Sequence, residues 1–128
     1  MSNEHNERNI EALRQRIYDF VIRVVNLVKE LPNTLIGNRI GGQLLDAGTS
    51  VGANFEEACA AYSHADFTHK IGIAKKEAYE TNYWLRVIRD SSLLPKNRLE
   101  EIIAESEQIK KILTASVKTA QANRRKKG

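Results

Sequence analysis

Ile10, Leu13, Ile17, Phe20, Val24, Leu27 and Leu31 follow one another at intervals of 3, 4, 3, 4, 3 and 4 residues. A helix lines such positions up along one face, whereas a strand would need a period of 2. The spacing is that of an a/d heptad seam. Val21, Val25 and Val28 widen it, which predicts a first helix packed by more than one neighbour. Pro32 ends this helix, because the residue before a proline is pushed out of the α region. Asn33 or Thr34 can then cap a second.

The second helix is predicted from about Leu35 to Ala61, with Ile40, Leu44, Ala47, Val51 and Phe55 or Ala58 on its apolar face. In its middle stands "TSVGANFEEA", rich in poor helix formers. Gln43, Ser50, Asn54 and Glu57 nevertheless fall at intervals of 7, 4 and 3, which places them on one helical stripe. The stretch therefore reads as helix, with Gly52 as a place for a kink. Gly41, Gly42, Ala47, Gly48, Gly52 and Ala53 make a thin face that another helix can approach closely.

"SHAD", Ser63 to Asp66, is a capping box for a third helix. There Phe67, Ile71, Ala74, Ala78, Thr81, Leu85 and Ile88 repeat the heptad spacing up to "DSSLLP". Pro95 suits the first position of a fourth helix, which carries Leu99, Ile102, Ile103, Ile109, Ile112, Leu113, Val117 and Ala120. Two prolines and seven glycines are too few for a hairpin-rich β domain, and 128 residues fit one domain. The expected class is all-α, an antiparallel up-down-up-down four-helix bundle over residues 7–121. A polar N-terminal tail (1–6) and a basic C-terminal tail (122–128) are expected to flank it.

The single cysteine, Cys59, makes no internal disulfide, which fits a reducing compartment. "MSNEHNERNI" lacks an apolar signal core, and no apolar run nears the roughly 18 residues that span a bilayer. A cytoplasmic protein without a membrane partner is expected. Charge is unevenly placed. Seven of the 20 basic residues and none of the 16 acidic ones lie after residue 109, so a mildly acidic body carries a basic end. Lys110, Lys111, Lys118, Arg124, Arg125, Lys126 and Lys127 are the candidate contacts to a polyanion, with the last four expected to be flexible. The same end also reads as a solvated tail.

Asp66-x-x-His69 mimics half of a di-iron site, but no second pair exists and Asp66 is already explained as a cap. Cys59, His64 and His69 are five residues apart, which does not bring them to one helix face. No metal and no cofactor are expected. Glu56, Glu57, Glu77 and Glu80 are paired carboxylates, with Lys70, Lys75 and Lys76 near enough to neutralise them. No nucleophile–base pair stands out, and "IGNRIGG" lacks the lysine and preceding strand of a phosphate loop. Nothing points to an enzyme. Ser50, Asn54, Glu57, Lys70 and Glu77 are expected to form a structural polar network between the second and third helices. An Asn54–Glu77 or a Glu57–Lys70 bond would set register. Tyr83 and Trp84 are candidate interface residues that could also stack on bases.

"QLLDAGTSVGANFEEACAAYSHADFTHKIGIAKKEAYETNYWLRVI" resembles the signature of the 23S rRNA intervening-sequence proteins. The matching positions are Thr49, Ser50, Val51, Gly52, Ala53, Asn54 and Glu57, then Ser63, Asp66 and Phe67. Lys70, Ile71, Ile73, Ala74, Lys76, Glu77 and Ala78 follow, and last Glu80, Tyr83, Trp84 and Leu85. The resemblance implies a compact four-helix bundle, often encoded in or beside rRNA intervening sequences. A related branch, the accessory proteins of diversity-generating retroelements, implies a homopentamer that binds nucleic acid and a reverse transcriptase. A non-enzymatic homo-oligomer is therefore expected, pentamer first and dimer second. It would associate with RNA or DNA through the basic end, and with a partner protein such as a reverse transcriptase. The alternative is a protein-interaction scaffold with no nucleic-acid role.

Overall fold

The computed structural model of the chain describes residues 2–127, and within them the side chains of residue 4 and residues 7–123. Four helices account for nearly all of it: α1 (Ser2–Glu30), α2 (Leu35–Cys59), α3 (His64–Asp90) and α4 (Lys96–Lys127). α1 and α4 are longer than the expected bounds of the bundle, 7–121. Residues 2–6 and 122–127 continue α1 and α4. Neither helix contains a proline or glycine, and extending an existing helix is far cheaper than starting one.

The helix ends follow local chemistry. The Thr34 Oγ1 accepts the Gly37 amide at 3.0 Å, and the Ser63 Oγ accepts the Asp66 amide at 3.0 Å. α2 stops at Cys59, short of Ala61, where the Ala60 amide closes on the Glu56 carbonyl at 3.2 Å. Pro95 lies one residue before α4, and its carbonyl accepts the Arg98 amide at 3.0 Å. α3 ends in a Schellman turn: the Leu93 amide reaches the Ile88 carbonyl at 3.1 Å, and the Ser92 amide reaches the Arg89 carbonyl at 3.2 Å. Ser92 occupies the left-handed position, with φ 59°, where glycine is usual.

Cross-helix pairs give the order of the elements. Along α1, Arg14, Val21, Val24 and Val28 meet Glu56, Gly52, Gly48 and Gly41 of α2. Numbers rise on one helix as they fall on the other, so α1 and α2 are antiparallel. Asn82 with Ser106, and His64 with Ala120, show the same reversal for α3 and α4. Arg16 with Glu105, and Glu30 with Arg98, show it for α1 and α4. Every neighbouring pair thus alternates in direction.

One core fills the space between the helices. Ile17, Phe20, Val24 and Leu27 of α1 meet Leu44, Val51 and Phe55 of α2, Ile71, Leu85 and Ile88 of α3, and Leu99, Ile102, Ile109 and Leu113 of α4. The stretch from Thr49 to Ala58 is helical throughout. The side chains of Thr49 and Asn54 fold back onto their own helix. The Thr49 hydroxyl donates to the Leu45 carbonyl at 2.7 Å, and Asn54 Nδ2 donates to the Ser50 carbonyl at 2.9 Å. Its glycines admit α1: a Cβ on Gly48 would come within 2.7 Å of Val24, and one on Gly52 within 2.9 Å of Val21.

α1 packs chiefly on α2, and its contact with α4 is the slightest of the adjacent pairs. Arginine–glutamate pairs reinforce both seams. Arg14 spans both oxygens of Glu56 at 2.8 and 2.9 Å, and Arg16 both oxygens of Glu105 at 2.7 and 2.8 Å. Arg98 Nε lies 3.0 Å from each oxygen of Glu30. Hydrogen bonds from these arginines hold the Glu30, Glu56 and Glu105 carboxyls below their ordinary range.

The glycines separate into two groups with opposite expected responses. Gly48→Ala is expected to lower stability by about 1–3 kcal/mol, because the new methyl overpacks against Val24. Gly42→Ala is expected to raise it by about 0.5–1 kcal/mol, since a Cβ there meets nothing within 4 Å. Urea midpoints of the two variants give the comparison. Ser92→Gly is expected to stabilise by about 1 kcal/mol through relief of the left-handed conformation, read as a raised Tm. Acid should act first on α1. Carboxyls with depressed folded pKa values contribute stability above about pH 4, and that contribution is lost as pH falls through the folded values. Amide exchange between about pH 6 and pH 3 is expected to show α1 losing protection before α3.

Candidate nucleic-acid interface

α4 turns its lysines in two directions. Lys110 Nζ sits 4.5 Å from the centroid of the Tyr79 ring and 3.5 Å from Glu107 Oε1. Only 18% of its side chain is exposed, so this lysine is committed to a cation–π contact and an ion pair within the chain. Lys111 and Lys118 are exposed and stand seven residues apart, on one stripe of the helix. All three lysines line a shallow basin of about 380 Å³ with Tyr79, Glu107, Thr114 and Ala115. The Tyr79 hydroxyl lies 3.4 Å from the Thr114 Oγ1 on the basin floor. The side chains of Arg124, Arg125, Lys126 and Lys127 lie outside the described residues; the helical backbone that carries them does not.

The polar residues expected between α2 and α3 divide. Lys70 Nζ donates to Glu57 Oε1 at 2.8 Å, and this pair joins the two helices. Asn54 does not reach Glu77. The register set by Lys70 against Glu57 puts Glu77 level with Ser50, about a turn away from Asn54 and within electrostatic reach of Asp46, and Asn54 turns to the Ser50 carbonyl instead. Burial, then the neighbouring Glu80, pushes the Glu77 carboxyl above its ordinary range. Ser50 takes part only through its carbonyl oxygen among the described contacts.

A second polar cluster escaped the sequence reading. Asn82 is fully buried between α3 and α4. Its Nδ2 donates to Ser106 Oγ at 2.9 Å and to Glu107 Oε1 at 2.8 Å, and its Oδ1 accepts from Arg86 Nε at 2.9 Å. Every polar atom of the amide is satisfied. The signal was spacing: Ala78, Asn82 and Leu85 are 4 and 3 apart, as are Ile102, Ser106 and Ile109. Asn82 and Ser106 thus occupy seam positions, where a polar pair specifies register.

Trp84 is half-buried against the core, and its indole N–H donates to Glu80 Oε1 at 3.3 Å. Tyr83 is 48% exposed, meets Trp84 edge to face at 4.9 Å, and has Arg86 5.8 Å from its ring centroid. The two residues named together in the sequence therefore differ, one being spent inside the bundle and the other presented to solvent. His64 Nε2 donates to the Ala120 carbonyl at 2.9 Å and ties the start of α3 to α4. Among the described residues no three metal-ligating side chains converge, and no helix is long and apolar enough to cross a membrane. On the opposite side, Arg14, Tyr18, Val21, Gly52, Ala53 and Phe55 border an apolar groove of about 280 Å³ between α1 and α2.

Three comparisons bear on this arrangement. Residues 11–115 match the family model described as 23S rRNA-intervening sequence protein. A crystal structure of a protein of unknown function from the S23 ribosomal protein family of Bacteroides thetaiotaomicron superposes with a TM-score of 0.76. It is 36% identical over 85% of this chain and 97% of that one. A comparison with curated proteins finds no match.

Proposed function

The chain belongs to the 23S rRNA-intervening sequence protein family, and we propose that it acts as a non-enzymatic, oligomeric accessory protein that binds RNA or DNA. The observation that carries this reading is the basic stripe of α4. Lys111 and Lys118 face outward without a carboxylate partner among the described ion pairs, and the helix runs on through Lys127 with four more basic residues. Phosphates neutralised along such a stripe release counterions, so affinity comes without sequence preference and depends on salt. The acidic side chain closest at hand, Glu107, is already held by Asn82 and Lys110. Neither the family description nor the name of the structural neighbour indicates an enzyme.

Self-association supplies the rest of the reading. Tyr18 is 61% exposed and Ile22 41%, one turn apart on the outer face of α1, beside the apolar groove. Burying that face against further copies would repeat the basic stripe around an assembly and multiply its effect. A pentamer is the first choice and a dimer the second. A partner protein such as a reverse transcriptase is compatible with this assembly. The cytoplasm is the compartment in which a free cysteine and a nucleic-acid partner both fit.

The test is binding of labelled RNA and DNA at two salt concentrations, by the full chain and by a chain ending at Asn123. Full-length protein is expected to bind both, with log affinity falling against log salt by about 0.7–0.9 per phosphate contacted. Truncation should weaken binding and flatten that slope. It removes only the last turn of α4, beyond Ala120, the last buried position among the described side chains. Absence of binding at low salt overturns the nucleic-acid reading and leaves the scaffold alternative. A solution mass near 14.5 kDa at micromolar concentration overturns the oligomer.

A further inference from the structure

The exposed face of α3 beside the lysine basin has a pattern of its own. Lys76, Tyr79, Tyr83 and Arg86 follow at intervals of 3, 4 and 3, a seam turned away from the core. Tyr79 and Tyr83 are 47% and 48% exposed, although both could have been covered by neighbouring helices if they served the core. Each ring is held by a cation from one side: Lys110 Nζ is 4.5 Å from Tyr79, and Arg86 is 5.8 Å from Tyr83. Gly72 lies one turn before Lys76 on the same stripe, and nothing stands within 4 Å of a Cβ placed on it. The aromatic row therefore has open surface at one end, and its Tyr79 shares a basin with Lys111 and Lys118 of α4.

A basic rail alone serves any polyanion. Exposed aromatic rings add something only where a ligand presents flat faces, and a duplex hides its base faces in the stack. A single strand exposes them, and base–aromatic stacking tolerates any sequence because every base has a π face. We infer that the α3–α4 face binds single-stranded nucleic acid, with bases stacked on Tyr79 and Tyr83 and phosphates held by Lys111 and Lys118. Lys110 is then a positioning residue, which holds the Tyr79 ring through its cation–π contact and touches no phosphate. The inference rests on the nucleic-acid reading above and narrows its ligand to one strand form.

The experiment uses the full chain and a mixed-sequence oligonucleotide of about 12 nucleotides, as single strand and as duplex. Trp84 is the only tryptophan and lies 4.9 Å from Tyr83, so its emission reports on a base arriving there. Tighter binding of the single strand is expected, with a change in Trp84 fluorescence that the duplex does not produce. Tyr79→Leu and Tyr83→Leu keep apolar bulk and remove the π face. Each is expected to weaken single-strand binding roughly 5- to 100-fold, and to weaken it far more than duplex binding. Tyr79→Phe should restore wild-type affinity. Lys111→Gln and Lys118→Gln should weaken both strand forms and flatten the slope. If both strand forms bind alike and the leucine variants match wild type, the stacking inference falls while the nucleic-acid reading stands. If neither form binds at low salt, both fall.

Discussion

Two valines of α1 rest on two glycines of α2, Val24 on Gly48 and Val21 on Gly52, and the bundle is arranged around that approach. The methyl groups take the space where side chains of α2 would otherwise stand, which lets the two helices approach closely. The remaining surface of α2 then turns Leu44, Val51 and Phe55 into the common core. The same register brings Arg14 level with Glu56 at one end and Val28 level with Gly41 toward the other. A bulky residue at either glycine would separate the helices and shift every one of these pairs together.

The other seams are set by different means. Between α3 and α4 a buried amide does the work, with Asn82 joining Ser106, Glu107 and Arg86. Apolar side chains alone would permit neighbouring registers, whereas this cluster satisfies all of its atoms in one. Between α1 and α4 apolar contact is slight, and Arg16–Glu105 and Arg98–Glu30 bridge the surface. The molecule thus has a firmly specified half, α3 with α4, and a half in which α1 depends on its grip on α2 and on solvent-exposed ion pairs. Lys110 connects the first half to the candidate interface, since it contacts both Glu107 of the buried cluster and the ring of Tyr79.

Helix identity was legible because burial follows the 3-and-4 spacing so closely. Ile17, Phe20, Val24 and Leu27, read as a seam, are all buried. Ile10, the first member of that seam, is 49% exposed, since the Arg14–Glu56 register puts it level with the end of α2 and α1 touches α4 only slightly. Thr49–Ala58 was legible as helix from its stripe of polar residues, but the destination of those residues was not. Periodicity assigns a face, whereas pairing between helices depends on axial register, and Asn54 misses Glu77 by about a turn. Asn82 was overlooked because single polar residues in a seam carry little weight beside a run of apolar ones. The ends of α1 and α4 were drawn short because the sequence loses its apolar period there, while the backbone needs only the absence of a breaker to continue. Among the basic residues, composition treated Lys110, Lys111 and Lys118 as equals. Side-chain environment divides them, since Lys110 has an aromatic ring and a carboxylate within reach.

α4 is 32 residues long, against 25 for α2 and 27 for α3. From Ala120 to Lys127 it continues for about 10 Å at the helical rise. That overhang is close to one Debye length at 0.1 M salt. The body before residue 110 has more acidic than basic residues and repels a polyanion at long range, while the overhang presents positive charge ahead of it. A nucleic-acid strand of the kind proposed above would meet attraction at one end of the molecule and repulsion over much of the rest. Under the nucleic-acid function proposed above, the helix would act as an antenna that orients the encounter before any side chain touches the ligand, and its first effect would be on the rate of association.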